Sequence, residues 1–358
     1  MIPIISKPKL PKTKIPIVII GAGGIVKDAH LPAYKKAGFQ VIGIYDLNPD
    51  NSKSLSEQFN IKTVCHTIES LVELGKENHA IFDLAVPASE ITNILPKLPN
   101  NSSVLIQKPM GENLQNAEHI LSICNSKNLT AAINFQLRFA PFVNAARSII
   151  DSGAIGEVYD MKVKLCTYTP WHLWDFLAKI SRVEILYHSI HYIDVIRSFL
   201  GDPKGIMAKT VKHPSSRVAS TRSSILFDYG DELSASINTN HDHNFGKEHQ
   251  ESFIKWEGTK GVIIAKMGLL LDYPHGVPDA FEYCVLDDQG NPEWHVATIE
   301  GSWFPDAFIG TMSNLMRFVE GSQDVLTSSV EDAIKTMEIV EMAYQSSDSG
   351  KKTLMDNT

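Results

Sequence analysis

Gly21-Ala22-Gly23-Gly24 follows a β-branched run, Ile15 to Ile20, and precedes a stretch of helical pattern from Ile25 to Lys36. A glycine-rich turn in that context is suited to hold a pyrophosphate. Gly21 permits the tight turn and Gly23 lets the backbone approach the phosphates. The helix start supplies N–H groups and a partial positive charge. Val26 stands at the third glycine position, which serves helix–strand packing rather than phosphate contact. Asp46 closes the next strand-like run, Val41 to Tyr45, at the position of the ribose-binding acid. A carboxylate there accepts from a ribose diol and repels a 2′-phosphate. The expected cofactor is therefore NAD rather than NADP, although Lys53 nearby works against that preference.

A second set of chemical groups lies further on. Glu184, His188 and His191 fall at i, i+4 and i+7 in a helical pattern from Val183 to Leu200, so they share one stripe. Imidazoles titrate near neutrality and suit acid–base work. The same residue types could ligate a metal, but the tight His-Glu-x-x-His form is missing and no metal is expected. Tyr187 lies one turn before His191, on the same expected face. Trp171, His172 and Trp174 form an aromatic loop suited to a sugar-binding wall or to core packing. His241, His243 and His249 sit between two strand-like runs and read as a solvated loop.

These groups need a scaffold. Strand-like runs at Ile15–Ile20, Val41–Tyr45, Ile81–Val86, Val104–Ile106 and Leu129–Ile133 alternate with helical patterns such as Leu114–Ser126. Strict alternation implies a doubly wound parallel sheet. Asn48-Pro49-Asp50 reads as a turn into a helix from Ser52 to Phe59, and Pro32 should bend the first helix or mark a late start. After Asn134 the pattern changes. A helix at Pro141–Ser152 precedes a long strand at Val158–Leu165, and the helical stretch to Leu200 follows. Strands are then expected at Ser223–Asp228, Leu233–Thr239, Glu251–Glu257 and Val262–Ala265, and helices at Phe308–Val319 and Val330–Tyr344. The expected class is α/β: an N-terminal Rossmann sheet at 15–134 after an arm at 1–14, then an α+β substrate-binding and oligomerisation domain at 135–358 with a largely antiparallel sheet.

The chain of 358 residues is long enough for two cores, with 43% hydrophobic residues and a net charge of −8. That balance disfavours a nucleic-acid partner, which requires a basic face. Cys65, Cys124, Cys166 and Cys284 are scattered without CxxC or zinc spacing and suit a reducing cytoplasm. No membrane span or signal peptide is expected.

Several segments together resemble the glucose–fructose oxidoreductase, inositol dehydrogenase and rhizopine-catabolism family (Gfo/Idh/MocA). They are Gly21 to Ile25 with His30-Leu31-Pro32-Ala33, Tyr45-Asp46 with Asn48-Pro49, Gln107-Lys108-Pro109, Asn134 to Phe139, Gly153 to Val158, His191 to Asp194 with Leu200-Gly201, and Glu257 to Gly261. The resemblance implies that Lys108 lies beside the nicotinamide and the reacting hydroxyl. It also implies that His191 is an acid/base, with Tyr187 or His188 assisting. Gly21, Gly23, Gly24, Ile25, Asp46, Pro87 and Gln107 would line the cofactor with Lys108. Asn134, Gln136 and Arg138 would border the nicotinamide and substrate, with an interface ion pair as the alternative for Arg138; Trp171 and His172 are substrate candidates only through the aromatic loop described above. Two departures stand out: Gln107 replaces the family's Glu before the lysine, and Tyr187 replaces its Asp four residues before the histidine.

The implied activity is hydride transfer between NAD and a secondary alcohol of a sugar, cyclitol or related polyhydroxy compound. The two departures keep open a retired NAD-binding sensor or scaffold. The Glu184/His188/His191 stripe keeps open a lyase or hydrolase using bound NAD or a metal. A homodimer or homotetramer is the implied assembly.

Overall fold

Short β-branched runs flanked by glycine and proline form fully covered strands, because both faces of a parallel sheet are shielded by helices. In the computed structural model, which describes residues 2, 4–173, 175–273 and 275–349, the first sheet has six parallel strands. These are β1 (Ile17–Ile20), β2 (Val41–Tyr45), β3 (Thr63–Val64), β4 (Ile81–Leu84), β5 (Ser103–Ile106) and β6 (Thr130–Ile133). Their spatial order is β3-β2-β1-β4-β5-β6. The order reverses beside β1, and the carboxyl ends of β1 and β4 flank the crevice where doubly wound sheets bind ligands. Helices α1 (Leu31–Ala37), α2 (Pro49–Phe59), α3 (Ile68–Glu77), α4 (Ile91–Ile94) and α5 (Leu114–Ser126) connect the strands.

Two local features refine the sequence expectation, and the second bears out a late start of the first helix at Pro32. Asn48 is not part of a free turn: it caps α2, its side chain accepting from Asp50 N–H at 3.1 Å, and Pro49 opens the helix. Proline is tolerated there because its missing N–H would have no intrahelical acceptor. The first helix begins as a π-wound turn, Val26–His30, in which Leu31 N–H donates to Val26 five residues back. Pro32, with no N–H of its own, follows directly in the opening turn of α1.

The chain divides into two units. One comprises Lys7–Pro141 and Gly301–Met337; the other lies within Met1–Ser6, Phe142–Glu300 and Glu338–Thr358. In the first unit, a helix far along the sequence joins the nucleotide fold. Phe308, Met312, Leu315 and Met316 share a core with Ile17, Ile19 and Tyr34. Gly310 of that helix lies against Phe139, where an added Cβ would come within 2.3 Å of the Phe139 Cβ.

The second unit contains α6 (Pro141–Asp151), β7 (Val158–Cys166), α7 (Ile190–Leu200), β8 (Gly205–Val211), β9 (Arg222–Asp228), β10 (Ser234–Asn240), β11 (Glu251–Gly258), β12 (Gly261–Lys266), β13 (Ala280–Leu286) and β14 (Pro292–Ala297). Its strands run β14-β13-β12-β11-β7-β10-β9-β8. Among the described residues every pair is antiparallel except β7 with β10. One face alternates inward, through Met161, Val163 and Leu165 on β7, Ile225 and Phe227 on β9, and Ile254 and Trp256 on β11. The helix α8 (Asp306–Val319) is the late helix of the first unit, and α9 (Val330–Ser349) runs through residues of both units. The architecture is the expected Rossmann sheet followed by a largely antiparallel α+β sheet.

The helix expected from Val183 to Leu200 is in two parts. Glu184–Ser189 is π-wound, with Ile190 N–H donating to Ile185 O, and only Ile190–Leu200 is α-helical. The wider winding changes which residues share a face. Glu184 pairs with Ser189, five residues on, its Oε1 accepting from Ser189 Oγ at 2.7 Å. The π-wound turn thus gives Glu184 an i+5 partner that the i, i+4, i+7 reading did not include.

Candidate cofactor and substrate sites

Gly21 ends β1 with φ at +103°, and a Cβ there would sit 2.2 Å from Ala85 O. Its N–H donates to Tyr45 O at 2.8 Å. The turn thus requires glycine for internal reasons. Gly23 is different. It is exposed, and a Cβ built on it meets nothing within 4 Å. Nothing within the protein demands glycine at 23; the open cradle fits a pyrophosphate held against the first helical turn, at Gly24 and Ile25, where N–H groups lack intrahelical acceptors.

Asp46 is tied to this loop. Its Oδ2 accepts from Ala22 N–H at 2.6 Å, and its Oδ1 from Asn48 N–H at 2.8 Å. These bonds hold the carboxylate at the carboxyl edge of the sheet with lone pairs to spare for a ribose diol. Lys53 is exposed on α2. Pro87 is exposed in the turn after β4, where its carbonyl accepts from Glu90 N–H at 2.9 Å.

Gln107 and Lys108 leave the end of β5, and the Lys108–Pro109 peptide is cis. The Gln107 side chain is buried, and its Oε1 has no hydrogen-bond partner among the described residues. Lys108 is half-buried, and its loss of solvent lowers the ammonium pKa from 10.5 to about 8. The group is therefore still mainly an ammonium at neutral pH, but gives up its proton at a lower pH than an ordinary lysine.

The segment after β6 is more deeply buried than a substrate border suggests. Asn134 is fully buried, with Nδ2 3.4 Å from His30 Nε2. His30 Nδ1 in turn lies 2.7 Å from Asp83 Oδ2, which also accepts from Tyr34 OH at 2.8 Å. Gln136 is buried, and its Oε1 lacks a partner among the described residues. Arg138 donates to Asp332 Oδ2 at 2.7 Å and Thr327 O at 2.9 Å, an ion pair within the first unit. His30, Asp83 and Tyr34 were invisible as a network in the sequence, since 53 positions separate His30 from Asp83.

In the second unit the structure brings Glu184, His188, His241 and Trp171 together. The His188 and His241 rings are 4.7 Å apart, and Trp171 lies 5.2 Å and 5.4 Å from them. His241 Nε2 lies 3.4 Å from Glu184 Oε1. The solvated-loop reading fails for His241: it is 1% exposed, because its backbone continues the β10 pairing through Thr221 and Thr169. His243 is half-buried and His249 exposed. His191, second residue of α7, is buried. The Tyr187 ring packs against Leu177, Val183 and Val218, the apolar cluster that Trp171 also packs against, and lies edge-on to Phe176. His172 is exposed, and Trp174 lies outside the described residues.

Glu184 carries the charge of this cluster. Burial alone would push its carboxyl up, but the His241 imidazole and the Ser223 and Ser189 hydroxyls outweigh burial and hold it below the usual range. Glu184 is thus ionised at neutral pH. Among the described residues no three His, Cys, Asp or Glu side chains are gathered as metal ligands.

Comparison with known proteins agrees with this anatomy. Residues 15–135 match the oxidoreductase family's NAD-binding Rossmann fold, and residues 143–264 match the GFO/IDH/MocA C-terminal domain. The chain is 22% identical over 350 residues to a D-apiose dehydrogenase of Rhizobium rhizogenes, covering 95% of this chain and 97% of that protein. An oxidoreductase from Agrobacterium radiobacter, solved with NAD+, L-tartaric acid and magnesium, shares the fold at a TM-score of 0.78 and 20% identity, over 95% of this chain and 98% of that one. A super-repressor mutant of Gal80p from Saccharomyces cerevisiae superposes equally well, at 0.78 and 14% identity over 95% and 97%. Shared fold alone therefore separates neither class. With both domain models matched in order, the glycine cradle at 21–25 and Asp46 in place, this chain belongs to the GFO/IDH/MocA family of oxidoreductases and carries its NAD-binding fold.

Proposed function

We propose that the protein is an NAD-dependent dehydrogenase or reductase acting on a secondary alcohol of a sugar, cyclitol or related polyhydroxy compound. The observation that carries this reading is Lys108. A lysine whose ammonium is destabilised to a pKa of about 8 is costly to the fold. It stands at the carboxyl edge of β5, in the same sheet whose β1 edge carries the phosphate cradle. Such a cost is characteristic of a group kept for chemistry.

When bound, NAD supplies the hydride acceptor. Lys108 as an ammonium donates to the substrate oxygen and stabilises its developing alkoxide. His191 accepts the hydroxyl proton. Carbon loses a hydride, oxygen loses a proton, and a ketone results; the reverse direction uses the same groups. Gln107 offers no charge to hold Lys108 protonated, consistent with the depressed pKa. The relatives' D-apiose and L-tartrate support a polyhydroxy substrate class. The working form we propose is a cytoplasmic homodimer or homotetramer, without nucleic acid. Among the described residues, no helix is long and apolar enough to cross a membrane.

Tyr187 favours a second reading, a retired NAD-binding sensor or scaffold. Its ring packs into an apolar cluster instead of presenting an acid. The test is incubation with NAD and a panel of aldoses, uronates and inositols while NADH absorbance is followed. NADH formation that disappears in Lys108→Met and His191→Ala supports the dehydrogenase. NADH binding with no turnover on any substrate supports the sensor, and unchanged turnover in either variant removes that residue from the reaction.

A further inference from the structure

Asp83 is an acid in a row of apolar residues. Across the nucleotide sheet, Ile44, Ile19, Asp83, Leu105 and Ala132 stand side by side on β2, β1, β4, β5 and β6. All five are buried. An apolar side chain of similar size would serve stability there as well as a buried carboxylate with its partners, so the acid calls for another reason. Two donors meet it. Tyr34 OH and His30 Nδ1 both reach Asp83 Oδ2, at 2.8 Å and 2.7 Å. Burial, and then the Asp83 charge, hold the Tyr34 hydroxyl well above its ordinary pKa, so it stays a donor. The acid thereby keeps the His30 proton on Nδ1 and leaves Nε2 as an acceptor.

The chain of bonds continues from Nε2. Asn134 Nδ2 donates to it at 3.4 Å, from 104 positions along the sequence. Asn134 N–H donates to Ile106 O at 2.8 Å, and Ile106 is the last residue of β5, directly before Gln107 and Lys108. At the other end, His30 closes the π-wound turn, where Val26 and Lys27 N–H donate to Gly23 O at 3.1 Å and 3.2 Å. One histidine therefore stands between the phosphate cradle and the strand end that carries Lys108, all within the first unit.

We propose that His30 is a positioning residue: through its bond to Asn134 it sets the spacing between the pyrophosphate end and the nicotinamide end of the cofactor site. The inference rests on the placement of NAD read above, with its pyrophosphate at the cradle and its nicotinamide beside Lys108, and not on any reaction. Asn134, fully buried, acts through His30 and Ile106 rather than on the substrate.

The test compares the affinities of NADH and ADP-ribose by calorimetry, without turnover. ADP-ribose keeps the adenosine, the pyrophosphate and the second ribose but lacks the nicotinamide. In His30→Asn the amide nitrogen takes the place of Nδ1 and keeps Asp83, while nothing reaches Asn134. ADP-ribose affinity should stay within twofold, and NADH affinity should fall at least fivefold. In His30→Gln the amide takes the place of Nε2 and keeps Asn134, while Asp83 is released. Both ligands should then weaken together, at least fivefold, because the turn itself is loosened. Asn134→Leu cuts the same link as His30→Asn from its other end and should repeat that pattern. An unchanged ratio of NADH to ADP-ribose affinity in folded His30→Asn or folded Asn134→Leu overturns the proposal. So does a selective loss of NADH in His30→Gln, and failure of all three variants to fold would mark the chain of bonds as structural only. Wild-type protein that binds ADP-ribose as tightly as NADH would instead count against the placement of NAD itself.

Discussion

His30 Nδ1 lies 2.7 Å from Asp83 Oδ2, and neither side chain reaches solvent. Asp83 is in β4, at the centre of the nucleotide sheet, and His30 closes the π-wound turn that follows the glycine loop. The pair fastens the cofactor-binding turn to the sheet beneath it. Removing His30 leaves the buried Asp83 carboxylate with only the Tyr34 hydroxyl, and removing Asp83 leaves His30 Nδ1 without its partner. His30→Ala and Asp83→Ala are each expected to lose about 3–5 kcal/mol in denaturant unfolding. The double substitution should cost less than their sum, and additive losses would show that the two residues act independently.

The glycines of the loop separate folding from binding. At Gly21, positive φ and the carbonyl of Ala85 exclude any side chain. Gly21→Ala should destabilise the protein by more than about 2 kcal/mol. Gly23→Ala should unfold within about 0.5 kcal/mol of wild type, because its Cβ meets nothing in the protein. Its NADH affinity should fall at least tenfold. Fluorescence titration with NADH decides this, and unchanged affinity would place the pyrophosphate elsewhere.

Lys108 has opposite effects on stability and activity. Its folded-state pKa of about 8 lies below the unfolded value. Between about 8 and the ordinary lysine value near 10.4, only the unfolded chain holds the proton, so this residue makes stability rise with pH across that window. Below about 8 its penalty is constant. Lys108→Met should therefore stabilise the protein at neutral pH by roughly 1–3 kcal/mol, with residual solvent screening reducing the full value. The variant's unfolding free energy should also lose that pH slope. Turnover of the wild type, which needs the ammonium, should fall as pH rises through about 8. A variant that is inactive and less stable would mark Lys108 as structural.

Asp46 should set the choice between nucleotides. Its carboxylate accepts from Ala22 and Asn48 N–H groups and presents a fixed charge beside the expected ribose. Asp46→Asn should raise the ratio of NADPH to NADH affinity at least tenfold, chiefly by weakening NADH and removing repulsion of the 2′-phosphate. Competitive displacement of NADH by NADPH reads the ratio, and an unaltered ratio would assign selectivity to another residue such as Lys53.

Much of the nucleotide fold was legible because its signals are local. Val41–Tyr45 and Leu114–Ser126 have the boundaries that pattern alone suggested, since a β-branched run between turns and a capped amphipathic stretch carry their own limits. The short strand β3 and the helix α3 after it, and strands β8, β13 and β14, were missed. β3 has only two residues, and the outer strands β8 and β14 expose much of their surface, so apolar periodicity is weak.

The sequence by itself determined the phosphate cradle, the strand–helix alternation and the residue types available for proton and hydride chemistry, because each depends on neighbours within a few positions. Only the tertiary structure decided that α8 completes the nucleotide unit, that Glu184 meets Ser189 and His241, and that His241 is buried. Those outcomes depend on π-winding and on strand pairing between distant segments. A local spacing rule assumes regular helix geometry, and one altered turn at Glu184–Ser189 is enough to move every face that follows.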